Sequence, residues 1–284
     1  MSFCRMAPEA SSILLHGVDF TSAPRKQKGI TIASGRLAGD TLTLESLDTL
    51  HDFAAFTEWL QRPGPWLGGF DFPFSFPREL INQLGWPSTW SALMRHVSAM
   101  ERSQLRDAFK AICDARPVGS KLIHRACDLP AGSSSPMKWV NPPVAYMLHA
   151  GAPLLLDADV SIPGMHAGDP SRIALEAYPG WVARGITRAS YKNDATAMQT
   201  PERRAARLQI IKAVEKGEYP QKIRLDAGKL RRQLLDDGSG DLLDAALCAL
   251  MAGWAWQRRD SNYGLPPHDA LEGWIIGTPV PEAT

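Results

Sequence analysis

Ile13-Leu14-Leu15-His16-Gly17-Val18-Asp19-Phe20 is an apolar run that ends in Gly-x-Asp-Phe. The same ending returns in Trp66-Leu67-Gly68-Gly69-Phe70-Asp71-Phe72. A carboxylate just after a buried strand either sits at the strand end or answers a cation, because an unpaired buried charge is costly. Two such acids on strands that can lie side by side point to a shared metal site. A lone Asp there is also an ordinary turn residue, and Thr21-Ser22-Ala23-Pro24 follows Asp19. Asp71 fits that explanation less well. Phe70, Phe72, Phe74 and Phe76 alternate around it with Pro73 and Pro77, so its loop reads as packed and apolar.

Outward from these runs, Ile13–Phe20 reads as a buried strand. The β-branched, partly alternating segments 28–34 and 41–47 follow as two more strands, separated by turn residues at 23–26 and 35–40. The start is therefore a three-stranded antiparallel meander. Residues 48–62 have helical apolar spacing and end at Pro63-Gly64-Pro65. Trp66–Asp71 is then a fourth strand, and the intervening helix permits parallel pairing by a right-handed crossover. The chain from 76 to about 148 reads as helical and irregular, broken at Gly85-Trp86-Pro87, Pro117 and 130–136. A short strand is expected within 153–163, and another at 171–178 that carries Glu176. Segments 201–216 and 223–236 read as basic surface helices, and Asp241–Trp256 as an apolar helix.

The pattern is α/β: a mixed sheet of three antiparallel strands and then parallel strands, with flanking helices. It predicts a flexible N-terminus at 1–12 and a single domain at 13–279, with a helical insertion at about 78–150. The 284 residues, 44% apolar and 21% charged, are ordinary globular composition, and the net charge of +1 leaves no global preference for nucleic acid or membrane. Cys4, Cys113, Cys127 and Cys248 form no Cys-x-x-Cys pair, which argues against a zinc site or a disulfide framework. With no apolar signal segment and no run long enough to span a bilayer, a cytoplasmic protein is expected.

Asp241-Leu242-Leu243-Asp244 is the sharpest chemical signal. At i and i+3 the two carboxylates share one helix face. Asp241 suits the first turn through the helix dipole alone. Asp244 does not, because the following Ala245-Ala246-Leu247-Cys248-Ala249-Leu250 is apolar on every side, the mark of a buried helix. Like charges at one end of a buried helix require a cation among them. Magnesium or manganese fits: both are hard, oxygen-liganded ions, and a pair of them can activate water for phosphodiester hydrolysis. Glu176 is a further candidate, with a salt bridge to Arg172 or Arg184 as the plainer alternative.

With these motifs, and with Glu272-Gly273-Trp274-Ile275 near the C-terminus, the chain resembles the DUF429 family of predicted RNase H-like nucleases. The resemblance implies an RNase H-like fold with acids on the first strand, the fourth strand and the late helix: Asp19, Asp71, Asp241 and Asp244 as metal ligands. It adds Glu176 as a further catalytic candidate and Lys192 as a site lysine, and it places arginines at Arg78 and Arg125. Resolvase-like relatives often carry Glu on the fourth strand, where this chain has Asp71, one methylene shorter.

A nucleic-acid partner is expected from the segment 201–232, where ten Lys and Arg residues face four acids. A solvated helical face would look the same. Trp86, Trp90 and Trp139 are candidates for base stacking or for core packing. Two other functions stay open: an ATP-dependent kinase of the actin-like fold, although no Gly-x-x-x-x-Gly-Lys loop is present, and a non-catalytic nucleic-acid-binding or adaptor protein.

Overall fold

A computed structural model describes residues 13–280; the expected flexible segment 1–12 lies outside the described residues. The chain begins with β1 (Leu14–Asp19), β2 (Ile30–Ala38), β3 (Thr41–Leu50), α1 (Phe53–Leu60) and β4 (Trp66–Asp71). Five helices follow: α2 (Arg78–Leu84), α3 (Trp90–Ser98), α4 (Arg102–Asp114), α5 (Asp128–Ala131) and α6 (Val144–Asp157). Then come β5 (Val160–Ser161), β6 (Asp169–Glu176), α7 (Pro179–Ile186), α8 (Pro201–Lys216), β7 (Arg224–Asp226), α9 (Arg231–Asp236) and α10 (Asp241–Trp256).

The seven strands form one mixed sheet in the order β5-β6-β4-β1-β2-β3-β7. β1, β2 and β3 pair antiparallel, while β4 runs parallel to both β1 and β6. The expected meander and parallel fourth strand are therefore present. Helices cover both faces. α7, α8 and α10 bury Leu15, Leu67 and Leu175 on one side, and α1, α3, α4 and α6 bury Val18, Ile32 and Phe70 on the other.

Three expected segments differ. The helix expected from residue 48 begins at Phe53, because 48–50 pair with 30–32 in the β2–β3 ladder. Asp52 then caps the helix by accepting the amide of Ala55. Segment 223–236 is not one helix: Arg224–Asp226 adds a strand beside 41–43 before α9 starts. The strand expected within 153–163 is only Val160–Ser161, since α6 continues through Pro153 to Asp157.

One register decides where the acids go. In the parallel β1–β4 pair, Leu15 faces Leu67, Gly17 faces Gly69 and Asp19 faces Asp71. Side chains alternate across a strand, so these three levels share the face that α10 covers. Gly17 makes the contact possible: a Cβ there would lie 1.9 Å from the Ala245 carbonyl oxygen and 2.2 Å from the Ala249 nitrogen. At Gly69 it would lie 2.6 Å from the Cys248 carbonyl oxygen. The helix backbone thus rests directly on the two glycines, and its first turn falls beside the two strand-end acids. Gly17→Ala should force α10 off the sheet and cost about 2–3 kcal/mol. Urea unfolding checks this, and an unchanged midpoint would contradict the contact.

His16 points the other way, edge-on to Trp59 and Trp66, with Nδ1 2.8 Å from the Ser34 hydroxyl. Burial, aided by the nearby Arg62 charge, lowers its pKa from 6.5 to about 3. Between these values the unfolded chain binds a proton that the folded one refuses, so stability falls as pH drops below about 6.5. From pH 7 to pH 5 this residue should remove about 2 kcal/mol. His16→Gln should lack that part of the pH dependence in chemical denaturation at the two pH values.

No helix among the described residues is long and apolar enough to cross a membrane.

Candidate functional site

Asp19 and Asp71 end two neighbouring parallel strands, and α10 brings Asp241 and Asp244 to the same end of the sheet. Asp244 is fully buried: Tyr191 Oη donates to its Oδ1 at 2.5 Å, and the Lys192 ammonium pairs with its Oδ2. Lys192 is 43% exposed along its side chain, so this ion pair opens toward solvent. The lysine stem passes over Gly240, whose φ of 80° begins α10 in the left-handed region. Asp241 lies nearer the surface, 3.9 Å from Lys28 Nζ, which pairs with Asp194 at 2.5 Å.

The electrostatics are those of crowded acids around one ammonium. Burial pushes Asp19 well above the ordinary carboxylate range; Asp241, Asp244 and Asp71 add to the shift and Lys192 opposes it. Burial also carries Asp71 to about 7, with Lys192 pulling it down and Asp244 and Glu176 pushing it up. Asp241 is raised as well, first by burial, against the charge of Lys28. Burial alone would lower Lys192. Asp244, Asp19 and Asp71 outweigh it and hold the ammonium well above its usual range.

Glu176 is placed differently from the aspartates. It neighbours Phe70 on β4, and its carboxylate receives a two-pronged bond from Arg125: Nη1 to Oε2 at 2.7 Å and Nη2 to Oε1 at 2.6 Å. The Phe74 amide adds a third donor at 3.0 Å. The partner is thus neither Arg172 nor Arg184. Arg125 also bonds Asp128 through Nη2 at 2.9 Å, and all three side chains are buried. Burial still leaves Glu176 above the ordinary glutamate range despite Arg125. Arg78 pairs with Asp269, while Glu272 accepts the amides of Arg78 and Ala126, so Glu272 ties the C-terminal segment to α2 and to the loop before α5.

A cleft of about 720 Å³ opens over these groups. Asp19, Asp71, Asp241, Glu176, Arg125 and Lys192 all line it, and Asp244 lies beneath through its bond to Lys192. The other walls are the β1–β2 loop and the segment leading into α6. Residues 201–232 contribute nothing to its lining. Several of their cations are engaged locally: Arg204 and Arg232 with Asp236, Arg231 with Glu215, and Arg224 with Asp40. Arg207 is buried and donates to the carbonyls of Leu235 and Tyr191. The tryptophans are also elsewhere. Trp90 is buried and donates to the Phe74 carbonyl, Trp86 packs on Phe76 and Phe109, and Trp139 packs against the same core.

Sequence reading missed Asp237, which accepts the amides of Ser239 and Leu242 and so fixes the start of α10. The Asp-Gly-Ser-Gly run at 237–240 was its only signal. It also missed Tyr191 and Lys28, whose roles depend on distant partners.

Whether the acids suit a cation follows from their chemistry and from what fills the site. The donors are carboxylate oxygens, the preference of magnesium and manganese. The Lys192 ammonium stands where such charge is needed. Among the described residues no three His, Cys, Asp or Glu side chains are arranged as one ligand set. Both oxygens of Asp244 are already engaged by Tyr191 and Lys192. Asp19, Asp71 and Asp241 face the cleft with the oxygen donors such an ion takes but are not gathered into one set. No protein-family model, curated protein or solved structure matches this chain.

Proposed function

We propose that the chain is a magnesium- or manganese-dependent nuclease with an RNase H-like arrangement, as the resemblance to the DUF429 proteins implies. The observation that carries the reading is the in-register pair Asp19–Asp71, set beside Asp241 and Asp244 with one lysine among them. Buried acids with raised pKa values are characteristic of functional sites, where charge is left for a ligand to balance.

Bound divalent metal would supply a water of lowered pKa and a counter-charge for the departing oxygen. Asp19 and Asp71 would hold it on the rigid sheet end, with Asp241 at the mouth. A cation held there would offset the burial and neighbouring acids that raise Asp71 to about 7. Lys192 stays protonated through its carboxylate neighbours and is suited to pair with a phosphate oxygen. The buried Tyr191–Asp244 bond orients that lysine.

A second reading has one observation in its favour. The Lys192 ammonium pairs directly with the Asp244 carboxylate, as it would in a non-catalytic nucleic-acid-binding protein. Cleavage of labelled DNA and RNA oligonucleotides with magnesium or manganese separates the two. The nuclease reading expects cleavage by wild type, none in EDTA and none by Asp19→Asn. Binding without cleavage, unaffected by EDTA, would favour the second.

A further inference from the structure

Two ammonium groups already rest on acids around this cleft. Lys192 pairs with Asp244, while Lys28 pairs with Asp194 and lies 3.9 Å from Asp241. Asp19 and Asp71 are different. Among the described residues neither side chain accepts a hydrogen bond or forms an ion pair, yet Asp19 is only 8% exposed and both line the cleft. A buried carboxylate without a donor is costly, and a ligand carrying N–H groups removes that cost. Burial and neighbouring acids raise both carboxylates, and the charge of Lys192 opposes only part of the rise.

Reach decides which kind of cation suits the pair. Asp19 and Asp71 are level on neighbouring parallel strands, which lie about 4.8 Å apart, and they share one face of the sheet. Magnesium needs its oxygens at about 2.0–2.1 Å in a near-ideal octahedron. No three acids among the described residues are gathered in that way. An ammonium bonds carboxylate oxygens at about 2.7–2.9 Å, so its acceptors stand farther apart, and three donors are all it has to place. The cleft is also lined by Pro142, Pro143, Val144 and Met147, whose carbon surface suits methylene groups.

We propose that the Asp19–Asp71 pair binds a primary alkylammonium group, with its N–H donors on the two carboxylates and its methylene chain along these apolar residues. No metal and no cleavage enter the binding, so it does not rest on the nuclease reading. The group comes from a free diamine or from the side chain of a lysine.

Calorimetric titration in EDTA at fixed ionic strength tests this with putrescine and with N-acetyl-lysine amide. At least one should bind wild type, and the tighter of the two assigns the source. Asp19→Asn keeps the shape of the side chain and removes its charge. It should weaken binding about tenfold or more, the effect of losing one charge-assisted hydrogen bond. Asp40→Asn removes the same charge from an acid that pairs with Arg224 outside the cleft lining, and it should bind as wild type does. A permethylated quaternary form of the bound amine, with its charge but no N–H, should bind about tenfold or more weakly. Binding of neither amine overturns the proposal, as does an Asp19→Asn protein or a permethylated amine that binds as tightly as the originals. Equal weakening by Asp40→Asn and Asp19→Asn also overturns it, because long-range charge alone would then be acting. Manganese-dependent cleavage without amine binding would leave the nuclease reading standing by itself. Amine binding as expected, with no cleavage of any strand, would leave this site and remove that reading.

Discussion

Asp19→Asn should be more stable than wild type in metal-free buffer and at least about a hundredfold slower in metal-dependent cleavage. Asp19 is buried, and Asp241, Asp244 and Asp71 all raise the energy of its charged form. Asparagine keeps the shape and removes the charge. A gain of about 1–2 kcal/mol is expected, as when a site strained for function is relieved. The sign with pH follows from the raised pKa. Between the ordinary value of 3.8 and the higher folded one, the unfolded chain has released its proton and the folded chain has not. Wild type therefore loses stability as pH rises through that window, and the variant's advantage grows with it. Below the ordinary value the two should converge. Thermal melts across pH with EDTA, then with manganese, check both halves. A variant less stable than wild type, with an undiminished manganese shift, would mean that Asp19 is structural.

Arg125→Met should have the opposite character: a large loss of stability. Arg125, Asp128 and Glu176 are buried together, and the guanidinium answers both carboxylates at once. Removing the cation strands two acids in the interior, at a cost of about 3–5 kcal/mol. Burial already holds Glu176 above its ordinary range with Arg125 present. Without the cation Glu176 will take up a proton more readily than the unfolded chain does, so the deficit should shrink as pH falls toward the glutamate range. Urea unfolding at pH 8 and pH 5 measures it. Combining Arg125→Met with Asp128→Asn and Glu176→Gln should recover much of the loss, because no charge is then left unanswered. A single variant within 1 kcal/mol of wild type, an amount about that of an ordinary substitution, would show that water reaches the cluster.

These two residues mark different kinds of legibility. Asp19, Asp71, Asp241 and Asp244 were readable because each interrupts an apolar element, and a charge in that setting calls for a counter-charge. The element order was readable for the same local reason: periodicity of two, then of 3.6, punctuated by Gly and Pro. Arg125 was only weakly readable, and its partner not at all. Glu176 lies 51 positions away, and nothing local distinguishes it from Arg172 or Arg184 as a match. The strand at Arg224–Asp226 was misread because three residues carry no period of their own; the exposed edge of β3 makes them a strand.

The basic run at 201–232 shows the limit most plainly. Its charges are evident in the sequence, but their use is not. Four of them pair with Asp40, Glu215 and Asp236, and none lines the cleft. By itself the sequence determined the α/β character and singled out the four aspartates as candidates, because hydrophobic pattern and charge are local properties. The tertiary structure decided the rest: Asp19 level with Asp71, α10 seated on Gly17 and Gly69, Lys192 among the acids, and a wall closing the cleft. Each of these depends on register and close approach between distant segments, which only the packed chain specifies.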